Sequence, residues 1–415
     1  MDDRLQALRD RFSSATDIDV FRHVLGLERL DGIPTIADPI ADRVILVCID
    51  CEHWSANTDE VTEVGIARFA MPDMLTVTRS QDEESVFGDH GEELMKMFKI
   101  NHLRIKNNSH LKSEYQFTQG AKGNRFGYWR FTSFEEMHTI LDKVFSEPIS
   151  DLGCDHPIVV LGVDVSHDTN NMRDKGLKFD LDKLGTVVRT VDSQKLAAEA
   201  SVWNHSHNTI SLSLLVSLLG FEHEQRDPHT AANDAARTLI CAVQLALRDH
   251  PCKINATKTM QQVADNIETY SKVSFTSLGG DALYCCKCGS VSHEEDNCTT
   301  HNQACEECLA KGRIQEAKTH ITVHCLSAAK DRSAARRARE DQERPLKRAS
   351  KAVKKQQQQR LRKRAARARR EEEQRPSSTQ APDIPVQPER ANGGDLVGWK
   401  KPEQLGDTWY TKAWS

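Results

Sequence analysis

Val44–Trp54 reads VILVCIDCEHW. Val44, Ile45, Leu46, Val47 and Ile49 are β-branched or aliphatic and lack the polar alternation of a half-exposed strand, so the run predicts a central strand covered on both faces. It is too short to span a bilayer. Strand residues i and i+2 point the same way, so Asp50 and Glu52 share a face at its end. Two carboxylates held that close repel, and each raises the other's pKa. A cation between them would relieve the repulsion. The alternative is a strand that simply ends in solvent among charged residues.

Working outward, the segment from Arg43 to about Pro251 alternates between the two periodicities. VTEVGIARFA, MLTVTRS, PIVVLGV and TVVRTVD read as strands, and SFEEMHTILDKVF, SLSLLVSLLG and AANDAARTLICAVQLALRD read as helices. Strands first, then strands interleaved with helices, predict an α/β fold with a mixed sheet. Residues 1–42 are expected to be a helical lead-in. The polar interval of about 81–132, with HLRIKNNSHL and GNRFGYWRF, is expected to be an insertion or flap over a sheet edge. Residues 252–283 read as a linker containing one helix.

The 415 residues carry a net charge of −5 and a mean hydropathy of −0.58, with no long apolar segment. The N-terminus has neither the basic start nor the apolar stretch of a secretory signal, so a soluble, non-secreted protein is expected. The charge is divided unevenly. Lys330–Arg370 holds 18 Lys and Arg against 4 Asp and Glu, an excess of 14 that leaves about −19 on the rest. Such a basic, helix-prone arm (327–371) suits a polyanion and can also serve as a nuclear address. Lys347, Arg348, Lys354, Lys355, Arg362, Lys363 and Arg364 are its candidate nucleic-acid contacts. Residues 372–415 are read as a disordered tail whose Trp-rich end, with three of the six tryptophans, is a candidate docking peptide for a protein partner.

Three ordered motifs carry a resemblance. Asp50-Cys51-Glu52 precedes TEVGIA; VVLGVDVSHDTNNM runs from a buried strand into Asp168; and DPHTAANDAART places His229 five residues before Asp234. Here the chain resembles the DEDDh family of 3′–5′ exonucleases, on the ribonuclease H-like fold. The resemblance covers about half the chain. It implies that Asp50, Glu52, Asp168 and Asp234 hold two Mg²⁺ or Mn²⁺ ions and that His229 is the general base, with RNA or single-stranded DNA as substrate. Hard divalent ions require oxygen ligands, and an imidazole with an ordinary pKa of about 6.5 suits proton abstraction at neutral pH. The second motif departs from the family pattern: Asp164 adds a carboxylate and His167 replaces an aromatic. We read Asp164 as a strand-end residue rather than a fifth acidic ligand. The chain looks most like fungal proteins that share the HLRIKNNSHL type of insertion and append Cys/His modules. A catalytically inactive, nucleic-acid-binding adaptor in RNA metabolism remains the alternative.

Seven of the 12 cysteines lie between Cys285 and Cys325. Cys285-x2-Cys288-x4-His293-x4-Cys298 has zinc-knuckle spacing, and three thiolates with one imidazole make a closed structural Zn²⁺ site. Cys286 is a spare that could take the place of Cys285. Cys305-x2-Cys308 opens a second unit, completed either by His320 and Cys325 or by His320 and His324; we take the former. Together they place zinc units over 284–326. Knuckles resemble modules that stack on exposed bases, but HEEDN in the first is acidic, which makes protein contact a second expectation for these units.

Overall fold

The computed structural model describes residues 2–79, 87–111, 123–203, 209–221, 229–301 and 303–343, with isolated positions at 345, 357 and 359–360. Residues Met1–Gln342 form one compact unit and Glu343–Ser415 a second. The first unit is built on a six-stranded mixed sheet flanked by helices, the ribonuclease H-like architecture expected. The strands are β1 (Ile45–Trp54), β2 (Asn57–Ala70), β3 (Lys99–Ile105) and β4 (Trp129–Thr132). The short pair β5 and β6 (Pro148–Ile149 and Cys154–Asp155) stands apart, and β7 (Ile158–Gly162) and β8 (Val187–Asp192) complete the main sheet. Its order is β4-β3-β2-β1-β7-β8. β2 is antiparallel to both β1 and β3, while β1–β7, β7–β8 and β3–β4 are parallel.

Burial along β1 follows the alternation of a strand covered on both faces. Leu46 and Cys48 belong to one core, with the N-terminal helices (Asp3–Ser13, Asp17–Val24) and the long helix Ala231–Ala246. Ile45, Val47, Ile49 and Cys51 belong to the other, with the helix Phe134–Phe145 and the helix Val165–Asp174. Asp50 and Glu52 continue the Leu46–Cys48 face, and there they meet the start of the long helix. All residues of that helix except Asp234 are buried, and Asp234, its one carboxylate, is turned toward β1.

The helix comes this close because of Gly65 in TEVGIA. A Cβ at Gly65 would stand 2.0 Å from the Ala231 carbonyl oxygen and 2.5 Å from the Ala232 nitrogen. Gly65 is the register partner of Asp50, so the missing side chain lies directly across from the first carboxylate.

Two expectations change. MLTVTRS is not a strand: Met71–Thr78 is a helix with Pro72 at its first positions. Proline suits the first helical turn because its fixed φ and missing N–H cost nothing there, and burial of Met71 and Met74 outweighs the β-branched TVT. The interval 81–132 is not only an insertion. Within its described residues it supplies β3 and β4, which extend the sheet beyond β2; residues 81–86 and 112–122 lie outside the described set. The polar letters of KINHLRI hid the strand because Asn101 and His102 are buried with partners, Asn101 accepting the Leu278 N–H and His102 pairing with Glu63. No helix among the described residues is long and apolar enough to cross a membrane.

Replacing Gly65 with alanine should cost about 3 kcal/mol or more, the upper range for overpacking a core, because the clash is with helix backbone and not with a movable side chain. Urea unfolding of the Gly65→Ala variant measures this; an unchanged midpoint would mean that the helix does not seat on β2.

Candidate active site and metal centres

Asp50, Glu52 and Asp234 each offer a carboxylate oxygen within 4.8 Å of the others. Asp50 and Glu52 come from β1, Asp234 from the first turn of the long helix, whose N-terminus is capped by the Thr230 hydroxyl accepting from the Asn233 N–H at 3.3 Å. Burial raises the pKa of Asp50 well above its ordinary value, and the charges of Asp168, Asp234, Glu52 and Glu63 raise it further. Glu52 is raised likewise, by burial and then by Asp234, Glu63 and Asp168. One Asp234 oxygen, Oδ1, is buried with no hydrogen-bond partner. Converging oxygens, mutual repulsion and a buried oxygen left unsatisfied fit a hard divalent cation.

Asp168 projects from the first turn of Val165–Asp174 and lies outside that trio, although its charge reaches Asp50. It accepts the Cys51 N–H, and burial with the charge of Asp164 pushes its carboxyl up to about 7. Asp164 is exposed in a left-handed conformation, with Oδ1 accepting from the Ser166 hydroxyl at 3.1 Å, and is not in the trio. His229 is mostly exposed, with Nδ1 3.2 Å from Asp234 Oδ2. That hydrogen bond raises its pKa above the ordinary 6.5 on which its suitability as a base was first judged. The structure thus brings Asp50, Glu52, Asp234 and His229 together and sets Asp168 beside them.

Sequence reasoning passed over Glu63, His102 and Asp192. Glu63 is the register partner of Glu52, and His102 Nε2 lies 2.9 Å from its Oε2, both side chains buried. Burial favours a protonated Glu63, but the His102 imidazole beside it and the Ala231 N–H outweigh this and hold its carboxyl below the ordinary value. Glu63 therefore ties β2 to the very turn that carries Asp234. Its one readable sign is position, two residues before Gly65 on the same strand face. Asp192 accepts the N–H groups of Asp164 and Val165 and so holds the start of the Asp168 helix. It stood unremarked in TVVRTVD because a strand-end aspartate has no signature of its own.

The cysteines form two further groups. Cys285, Cys288, His293 and Cys298 converge, as do Cys305, Cys308, His320 and Cys325. The Cys308 and Cys325 sulfurs are 3.7 Å apart, close to the roughly 3.8 Å expected for two thiolates on tetrahedral zinc with bonds of about 2.3 Å. In each group the histidine offers Nε2 to the cysteines, while Nδ1 is held by the preceding hydroxyl: Ser292 at 3.1 Å and Thr319 at 2.9 Å. Such outer hydrogen bonds orient metal-binding imidazoles. His293 also pulls the Cys298 thiol down to about 6. His324 is turned elsewhere, its Nε2 3.1 Å from the Lys106 carbonyl, and Cys286 donates to Glu295 Oε2 at 2.8 Å. Both Cys3His groups fit zinc, and the first acidic group fits Mg²⁺ or Mn²⁺. Lys347, Arg348, Lys354, Lys355, Arg362, Lys363, Arg364 and the Trp-rich end lie outside the described residues.

Residues 45–245 match the family model described as DNA polymerase III subunit epsilon-like, C-terminal domain, of the DEDDh type. This part of the chain belongs to the DEDDh exonuclease family. No curated protein matches the chain. The match begins with β1 and ends at Leu245 in the long helix, so it contains every carboxylate of the acidic site, and the two Cys3His groups lie beyond it.

The pKa shifts give the DEDDh domain a definite dependence on pH. Asp168 titrates at about 7 in the fold against about 3.9 in an unfolded chain. The folded state therefore binds the proton more tightly, and that stability is full below about pH 4 and lost as pH rises through 7. Asp50 and Glu52 shift in the same direction. With zinc supplied throughout, added Mg²⁺ or Mn²⁺ should raise the thermal midpoint more at pH 8 than at pH 5, and Asp234→Asn should remove most of that difference. Equal shifts at both pH values would contradict a cation at these carboxylates.

Proposed function

We propose that this chain is a divalent-metal-dependent 3′–5′ exonuclease that shortens RNA or single-stranded DNA. The observation that carries the reading is the convergence of Asp50, Glu52 and Asp234 within 4.8 Å, with Asp234 Oδ1 buried and unsatisfied, inside a domain of the DEDDh family. Asp50, Glu52, Asp168 and Asp234 would hold two Mg²⁺ or Mn²⁺ ions, which when bound offset negative charge on the attacking and leaving oxygens of a phosphodiester. His229 acts as general base and takes a proton from the attacking water. Asp234 Oδ2 orients its ring through Nδ1, and Glu63 with Asp192 hold the two helices that present Asp234 and Asp168.

The basic arm after residue 343 supplies sequence-independent attraction to phosphates, so substrate affinity should fall steeply with salt, and the same run is our reason to place the protein in the nucleus. The zinc units and the Trp-rich end are the candidate sites for a protein partner.

The test uses 5′-labelled single-stranded RNA and DNA with the full-length chain, zinc-loaded, with Mn²⁺ added or omitted. A ladder that shortens from the 3′ end is expected. It should be lost without Mn²⁺ and reduced at least about 10³-fold in Asp50→Asn, as for the loss of a central catalytic group. Salt-sensitive binding with no shortening would overturn the enzymatic reading and assign the chain to the inactive adaptor.

A further inference from the structure

The strand that carries Asp50 and Glu52 outruns its parallel neighbour before it reaches them. β1 pairs with β7 only over Ile45–Cys48. From Ile49 outward its one ladder partner is β2, and that register breaks twice, between Glu52 and His53 and between His53 and Trp54. Opposite Asp50 and Glu52, β2 is still backed by β3 (Gly65 beside His102, Glu63 beside Arg104), but from His53 to Val61, directly beyond Glu52, the hairpin is a two-stranded ribbon past the sheet. Two-stranded ribbons have little stability of their own in water, so something else must hold this one.

Asn108 Nδ2 donates to the Val61 carbonyl at 2.7 Å, and the tip is covered by the helix over 326–343, which begins directly after Cys325, the last member of the second Cys3His group. Ala329 is fully buried in a cluster with Trp54 and Leu111, and Ala56 packs against it. The Ser333 hydroxyl donates to the Ala56 carbonyl. Arg336 donates to Asn57 Oδ1 at 2.5 Å and pairs with Asp59 at 3.2 Å, and Arg332 pairs with Glu60 at 2.9 Å. Apart from Leu111, these contacts fall on residues 54–60, the end of β1, the turn and the first part of β2. The zinc units are themselves fixed to one another and to the sheet. The Ile321 N–H donates to the Lys287 carbonyl at 3.1 Å, and Phe131 and Asp281 exchange backbone hydrogen bonds of 2.8 Å. His324 Nε2 is 3.1 Å from both Tyr284 Oη and the Lys106 carbonyl.

These units have almost no core except their ligands: Cys305, Cys308 and Cys325 share the buried cluster of the second unit with Ala317. So small a segment folds on metal-binding energy and not on apolar burial. We infer that the two Cys3His zinc groups, through Ala329, Ser333, Arg332 and Arg336, brace the β1–β2 hairpin and so set the placement of Asp50 and Glu52. The zinc units are then a working part of the nuclease body, and structural metal is felt at a second, carboxylate metal site. Ala329, Ser333 and Arg336 are positioning residues, since they touch neither the carboxylates nor a substrate. The inference rests on reading Asp50 and Glu52 as divalent-ion ligands, but not on turnover.

The experiment compares full-length wild type, Cys308→Ser, Ala329→Glu and the milder Ser333→Ala/Arg336→Ala pair. Zinc content, amide hydrogen exchange and Mn²⁺ affinity by titration are measured, with the buried helix Ala231–Ala246 as internal reference. Ala329→Glu and the double variant should keep two zinc ions per chain. Exchange over residues 50–61 should rise at least about tenfold and Mn²⁺ should bind about tenfold more weakly, while the reference helix stays protected. Cys308→Ser should do the same with zinc lost. Should Ala329→Glu also deprotect the reference helix, the double variant decides. Hairpin exchange and Mn²⁺ affinity equal to wild type in the double variant and in Cys308→Ser would overturn the brace. That result would leave the exonuclease reading intact, because both readouts are independent of hydrolysis; absence of hydrolysis in wild type, with the exchange pattern as expected, would leave the brace intact.

Discussion

The close approach of one helix to one strand sets the geometry of this molecule. Where Gly65 leaves β2 without a side chain, the backbone of Ala231 and Ala232 occupies the space. That contact fixes the depth at which the long helix lies, and therefore the distance from Asp234 to Asp50 and Glu52. Glu63 secures the same junction by accepting the Ala231 N–H and pairing with buried His102. Backbone packing and a buried polar pair thus act within three residues of each other, and the carboxylate cluster follows from both.

Such a cluster is electrostatically costly as long as it holds only protein. Asp50 and Glu52 have their pKa values raised by burial and by one another's neighbours, and Asp168 rises to about 7. Among the described residues no arginine or lysine pairs with the trio; Glu63 stands nearby as a further negative group, and His102 satisfies it. The remaining imbalance suits a bound divalent ion, whose hard charge prefers these oxygens to the thiolates elsewhere in the chain. Segregation of ligand types keeps the two metal chemistries apart: oxygens within the DEDDh domain, sulfurs and Nε2 atoms beyond it.

The Cys/His region is joined to the sheet through Asp281 and Tyr284 and to the β1–β2 turn through the helix that follows Cys325. The boundaries expected near residues 251 and 284 are not breaks in packing: the helix Met260–Val273 buries Met260, Val263 and Ile267 against the main core. Residues Met1–Gln342 are accordingly one compact unit. The family match ends at residue 245, and the helix over 326–343, beyond it, packs on the β1–β2 turn.

The sequence by itself determined the central strand, the mixed α/β sheet and the acidic residues, because periodicity and motif spacing are local properties. VILVCID is apolar on both faces, AANDAARTLICAVQLA has helical spacing, and cysteines three apart announce a metal whatever surrounds them. The second zinc group was only partly legible: spacing allowed His320 with either Cys325 or His324, and tertiary contact decided, since His324 is drawn to Lys106 and Tyr284. The strand over Lys99–Ile105 was hidden because its buried polar residues find partners far away in sequence, which no local pattern records. The helix over Met71–Thr78 runs against the β-branched residues of its second half, and Pro72 in its first turn with burial of Met71 and Met74 decides for helix in the fold. Only the tertiary structure showed that Glu63, His102 and Asp192 support the acidic site and that the helix after Cys325 packs on the β1–β2 turn. These are relations between residues tens to hundreds of positions apart, and they exist only once the chain is folded.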